Sequence, residues 1–142
     1  MFDDGEGELS DAASILDWLQ QYNTNSKVVW VAGFSFGAWV AMQLLMRRPE
    51  INNFISVSPP ANTRDFSFLA PCPSTGLIVH GDKDTITSFD STKILSEKLQ
   101  KQKKVNIHFK SIKGADHFYE NFTDQFSSTI DNYIKDSLAN LK

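Results

Sequence analysis

A single cysteine, Cys72, leaves no partner for an internal disulfide and suits a reducing compartment. No apolar run approaches the roughly 20 residues that span a bilayer, so no transmembrane segment is expected. The N-terminal MFDDGEGELSD is acidic and lacks the charged-then-apolar plan of a secretory signal. These absences lead to the expectation of a soluble, cytoplasmic protein. Lysine and arginine form no long run and the net charge is −3, so nucleic acid and anionic membranes are not expected partners. The three histidines lack metal-ligand spacing, and no metal is expected. Proline is scarce, with five residues, and there are no repeats or low-complexity tracts, which argues against a disordered chain.

What is present is a chain of 142 residues, 41% apolar, enough for one core and one domain spanning residues 1–142. Ser10 is a good N-cap, with Asp11 following where the helix dipole favours negative charge. Ala12, Ile15, Leu16 and Leu19 then lie on one helical stripe, which Asn23 to Asn25 end. Residues 28–32 form a continuous apolar run, the pattern of a strand covered on both faces. The spacing predicts a buried helix over 36–47, closed by Arg47, Arg48 and Pro49. Phe54 to Val57 predict a second strand and Leu77 to Val79 a third, ending at His80-Gly81, with a loop over 61–75 between them. A helix over 89–102 follows. Val105, Ile107 and Phe109 alternate with polar residues as a half-exposed fourth strand. A last helix over 121–140 carries Phe122, Phe126, Ile130, Tyr133, Ile134 and Leu141 on one side. Strands alternating with helices predict an α/β fold, a mostly parallel sheet of about four strands with helices on both faces. In such sheets ligands bind beyond the carboxyl ends of the strands.

One of those ends carries Gly33-Phe34-Ser35-Phe36-Gly37, a G-x-S-x-G motif between a predicted strand and a predicted helix. Such a joint forces the serine into a strained turn, and side chains at the flanking positions are expected to collide with strand and helix. The helix start would offer the Phe36 N–H and a favourable dipole to a developing oxyanion. A serine hydroxyl needs a base, and three histidines compete for that role. His80 closes a strand and is expected to hydrogen-bond within its own loop. His108 falls on the polar face of the fourth strand. His117, in the loop between that strand and the last helix, alone combines a strand-end position with freedom to reach over the sheet. A carboxylate should orient the imidazole, and His80-Gly81-Asp82-Lys83-Asp84 supplies two. Asp84 lies farther into the loop and has more reach; Asp82 is the alternative, suited to capping the turn. Asp116 is read as a loop residue. Cys72 has no basic neighbour to activate it. Phe34, Phe36 and Trp39 are read first as packing residues, with lining of an acyl pocket as the alternative.

AGFSFGAWVAMQLL, VSPPANTRDFSFLAPCPSTGLIVHGDKD and GADHFY resemble the α/β-hydrolase superfamily, specifically small bacterial carboxylesterase-like proteins related to dienelactone hydrolase. The resemblance implies Ser35 as nucleophile, Asp84 as acid and His117 as base of a cofactor-free esterase with a minimal lid. It implies hydrolysis of a small carboxylic ester, thioester or lactone through an acyl-enzyme. Two departures stand out. Thr85-Ile86-Thr87 replaces the hydrophobic residue and proline usual after the HGxxD segment. Proteins of this kind also begin with about four further strands, one of them followed by a loop that donates a second oxyanion N–H. The chain thus reads as the C-terminal part of such a domain. The strand at 28–32 is then expected to be a sheet edge open to a second copy or a complementing N-terminal fragment. The competing readings are a silent hydrolase remnant or interaction module, and a nucleotide-binding α/β domain. The nucleotide reading is disfavoured because the G-x-G-x-x-G phosphate loop is missing.

Overall fold

β-Branched and aromatic residues cluster in short runs separated by helical patterns, and the chain folds accordingly. The computed structural model describes residues 5–23 and 28–140. In chain order the elements are α1 (Glu6–Tyr22), β1 (Trp30–Phe34), α2 (Phe36–Arg47), β2 (Asn53–Val57), β3 (Thr75–Gly81), α3 (Phe89–Gln100), β4 (Ile107–Ile112) and α4 (Thr123–Ala139), with a 3-10 turn at Ser67–Leu69. Among the described residues the four strands form one parallel sheet in the order β1-β2-β3-β4. All four carboxyl ends therefore open on the same side of the sheet.

Alternation along the inner strands divides the core in two. Phe54 and Ile78 face one layer with Leu9, Leu16, Val40, Leu45 and Leu99, contributed by α1, α2 and α3. Ile55, Val57, Leu77 and Val79 face the other, where Tyr133, Ile130 and Phe126 of α4 pack. Helices thus cover both faces, as expected. β2 and β3 are buried almost throughout, whereas β1 exposes Ala32 and Phe34. The expected cover on both faces of this first strand is only partial: Val31 packs on one core layer and Trp30 on the other, while Ala32 and Phe34 are exposed. Among the described residues β1 pairs with β2 alone and is the first strand of the sheet.

Other boundaries shift for local reasons. The first helix begins at Glu6, not at Ser10, because Gly5 takes the cap position at φ 103° and its N–H donates to Glu8 Oε2 at 3.1 Å. Ser10 and Asp11 are consequently exposed within the helix. The buried stripe runs through Leu9, Ala12, Ala13 and Leu16, while Ile15 and Leu19 of the predicted stripe are exposed. β1 starts two residues later than predicted, since Val29 meets Asn52 first: Val29 N–H donates to Asn52 Oδ1 and its carbonyl accepts from Asn52 N–H. β4 begins at Ile107, leaving Val105 outside it. Thr24 and Asn25 at the predicted end of α1, and Leu141 at the end of α4, lie outside the described residues. Among the described residues no helix is long and apolar enough to cross a membrane.

Candidate active site

A single residue, Ser35, joins β1 to α2 at the carboxyl end of the strand. Ser35 sits there at φ 55°, ψ −120°, outside the comfortable regions for an L-residue. Sheet pairing holds it there: Ser35 N–H donates to the Val57 carbonyl at 2.8 Å, continuing the β1–β2 ladder past its last paired residues. Gly33 makes the turn feasible, because a Cβ there would stand 2.2 Å from the Gly37 carbonyl oxygen. The same expectation fails at Gly37, where a Cβ would meet nothing within 4 Å. That position faces open space, not the strand. Phe36 opens α2, so its backbone lies at the positive end of the helix dipole, as the expected oxyanion role requires.

His117 comes from the loop after β4. Gly81 allows that loop to lie close over β3, since a Cβ there would meet the Ala115 carbonyl oxygen at 2.4 Å. His117 is buried, with Nε2 3.1 Å from Ser35 Oγ and Nδ1 2.7 Å from Asp84 Oδ2. The network assigns the tautomer: Nδ1–H donates to the carboxylate, leaving the Nε2 lone pair to accept from the serine hydroxyl. Ser35, His117 and Asp84 are thus brought into one hydrogen-bonded line. Each comes from a different strand-end loop.

Asp82 and Asp84 are separated by geometry. Asp82 Oδ1 accepts from the Gly114 N–H at 2.6 Å, tying two neighbouring loops together, which is the turn role foreseen for it. Asp84 turns inward, its side chain fully buried. Oδ1 accepts from the N–H groups of Ile86 and Thr87, both at 2.8 Å. Oδ2 accepts from the Thr87 hydroxyl at 2.8 Å as well as from His117. Burial pushes this carboxyl upward, but the hydrogen bonds from His117, Thr87 and Ile86 outweigh it and hold Asp84 below the ordinary aspartate value. It is therefore charged at neutral pH, as an imidazole-orienting group must be.

Of the remaining candidates, His108 is exposed on β4 against the Tyr133 ring. Asp116 Oδ1 accepts the Glu120 N–H, a loop role. Cys72 is buried, its thiol donates to the Ser74 carbonyl, and burial pushes its pKa up, so it is inert. His80 is buried within its own loop, as expected, with Nε2 3.3 Å from the Thr87 carbonyl. Thr87 is the support that sequence reasoning missed. The Asp84-Thr85-Ile86-Thr87 spacing, an aspartate whose side chain closes on backbone N–H groups two and three residues later, was the available signal.

Beside the serine, Phe34, Val57, Phe118, Tyr119, Thr123 and Phe126 line an apolar recess of about 440 Å3. Two of its walls, the Phe34 and Phe118 rings, each lie 5.0 Å from the His117 ring. Phe36 and Trp39 turn elsewhere, stacking beneath the Arg64 guanidinium at 5.1 and 4.9 Å. Among the described residues no three His, Cys, Asp or Glu side chains converge as metal ligands would.

Residues 3–139 match the model of the dienelactone hydrolase family. An uncharacterized protein of Rickettsia prowazekii is 53% identical over 137 residues, covering 94% of this chain and 58% of the relative. The crystal structure of a protein of unknown function from Agrobacterium tumefaciens superposes with a TM-score of 0.95 at 51% identity, over 99% of this chain and 64% of that one. An α/β serine hydrolase without a lid from Xanthomonas campestris superposes with a TM-score of 0.84 at 26% identity, over 95% and 59%. The chain spans less than two thirds of the length of each of these proteins.

Proposed function

The chain belongs to the dienelactone hydrolase family, and on that premise we propose that it is a serine hydrolase acting on small carboxylic esters, thioesters or lactones. The observation that carries this reading is the unbroken line Ser35 Oγ–His117 Nε2, His117 Nδ1–Asp84 Oδ2, at 3.1 and 2.7 Å. Ser35 Oγ attacks the acyl carbon while its proton passes to His117 Nε2, and the charge gathered on the carbonyl oxygen faces the Phe36 N–H at the start of α2. Asp84 holds the imidazole in its tautomer and stabilises the cation. His117 then delivers the proton to the leaving alcohol or thiol. Water, deprotonated in turn by His117, attacks the acyl-enzyme, releases the acid and restores Ser35.

The substrate end nearest the serine is expected to be apolar, because the recess beside His117 is lined by three phenylalanines and carries no charged side chain. A fluorophosphonate probe tests the reading. Stoichiometric labelling of wild type that vanishes in Ser35→Ala supports the hydrolase. Folded protein that resists labelling supports the competing reading, a remnant that keeps the three residues without a complete oxyanion hole.

A further inference from the structure

Ser35, Asp84 and His117 follow β1, β3 and β4, and β2 supplies none of them, yet the carboxyl end of β2 touches the supports of all three. The Val57 carbonyl accepts the Ser35 N–H at 2.8 Å, which holds the serine turn. The next residue, Ser58, is fully buried, and its N–H donates to the Val79 carbonyl of β3 at 2.8 Å. The Ser58 carbonyl lies 3.4 Å from the Thr87 hydroxyl, the group that supports Asp84. Its side-chain hydroxyl meets the phenol of Tyr119, two residues past His117, at 2.8 Å. Ser58 makes these contacts at φ 49°, a left-handed conformation that carries strain for any residue but glycine.

Tyr119 is the other end of that contact. Ahead of His117, the loop is tied to its neighbour by the Gly114 N–H on Asp82 and by the Lys83 N–H on the Ala115 carbonyl at 3.0 Å. Past His117 the chain doubles back. Tyr119, at φ 58°, donates its N–H to the Asp116 carbonyl, and its own carbonyl accepts from the Phe122 N–H at 2.9 Å. Those bonds close the loop on itself; the phenol is what carries it to the end of β2. The Tyr119 ring is buried against Phe126, with centroids 4.5 Å apart, so loss of the hydroxyl alone leaves the ring packing in place. Burial raises the phenol to about 12, and it stays protonated through the neutral range.

From this geometry we infer that Ser58 and Tyr119 are a positioning pair for the proposed hydrolase: their hydrogen bond sets where His117 stands over the sheet and so aligns the imidazole with Ser35 and Asp84. The inference rests on the hydrolase reading for its catalytic meaning. Neither hydroxyl bonds to Ser35, His117 or Asp84, and the pair acts through the loop that carries the base. The two bonds of His117, at 3.1 Å to Ser35 and 2.7 Å to Asp84, both depend on where that loop rests. A small displacement of the imidazole costs proton-transfer rate far more than it costs folding energy.

The experiment compares wild type, Tyr119→Phe, Ser58→Ala and the double variant, each shown to be folded by circular dichroism. The readouts are the fluorophosphonate labelling rate and the proton NMR signal of the His117 Nδ1–H. Each single variant is expected to label about 10-fold more slowly, as a displaced base would. The double variant should match the slower single within about twofold, because both changes remove one and the same hydrogen bond. The far-downfield signal of the Nδ1–H held by Asp84 should broaden or move upfield in all three. Ser58→Gly separates alignment from strain, since glycine accepts φ 49° more readily but lacks the hydroxyl. It is expected to fold and still label slowly, and it stands in for Ser58→Ala or Tyr119→Phe should either fail to fold. Labelling of a folded single variant within about twofold of wild type, losses that multiply in the double variant, or an unchanged Nδ1–H signal would overturn the inference. If wild type itself is not labelled, the hydrolase reading fails on its own, and the Nδ1–H signal still decides whether the pair positions His117.

Discussion

At the residue scale, the strain at Ser35 is held by two features of different kinds: a hydrogen bond to Val57 and the missing side chain at Gly33. The two glycines of the motif are not equivalent. Gly33→Ala drives a methyl group into the Gly37 carbonyl and is expected to lower the free energy of unfolding by about 3 kcal/mol, the upper end of overpacking costs. Gly37→Ala meets open space inside a helix and is expected to raise it by about 0.5 kcal/mol. Urea denaturation of the two variants checks both signs. Ser35, Asp84 and His117 are legible in the sequence because each stands just past a strand-like run, where side chains converge over a parallel sheet. Thr87 is less so. It supports a carboxylate already chosen, and while its spacing from Asp84 signals a closed turn, that spacing does not tell which way the carboxylate points.

At the element scale, α1 packs its Leu9–Leu16 stripe into the core and is also tied to the rest of the fold through Arg48. Arg48, just past α2, reaches Asp17 at 2.9 Å, Gln20 at 3.0 Å and the Ala13 carbonyl at 3.3 Å, and pairs with Glu50. The hydrogen bond from Arg48 holds the Glu50 carboxyl down at about 2, against 4.5 for a free glutamate. A carboxyl depressed on folding stabilises the native state above its unfolded value and loses that contribution as the pH falls. Wild type should therefore lose stability between about pH 4.5 and pH 2 through this group, and Glu50→Gln should lack that component. The pH dependence of the urea midpoint in the two proteins measures it. The helix itself was visible as a period in the sequence, but its phase was not. Two apolar stripes overlap in α1, Leu9-Ala12-Leu16 and Ile15-Trp18-Leu19-Tyr22, and only the start at Gly5 and the packing on α2 select the first.

At the scale of the whole molecule, the sheet of the described residues has a buried middle and a partly exposed margin at β1. Among the described residues β1 pairs on one side alone and exposes Ala32 and Phe34, and the second stripe of α1 leaves Ile15, Trp18, Leu19 and Tyr22 all more than two fifths exposed. An edge of this kind recruits strands from other chains unless a charge blunts it. Concentration-dependent association is expected in sedimentation velocity, and Ala32→Lys should reduce it; a wild type that stays monomeric at every concentration would contradict this. The parallel order followed from alternating strand and helix patterns. The exposure of β1 did not follow from its own residues, since a run such as VVWVA is written for cover on both sides.

Ser35 follows the strand at one margin of the sheet, and His117 follows the strand at the opposite margin. One covalent modification at the serine therefore gauges alignment across the full width of the molecule. Slippage at any of the three intervening strand junctions would silence the probe while the circular-dichroism spectrum still looked native, so chemical reactivity is expected to fade before helicity during gradual thermal or chemical challenge.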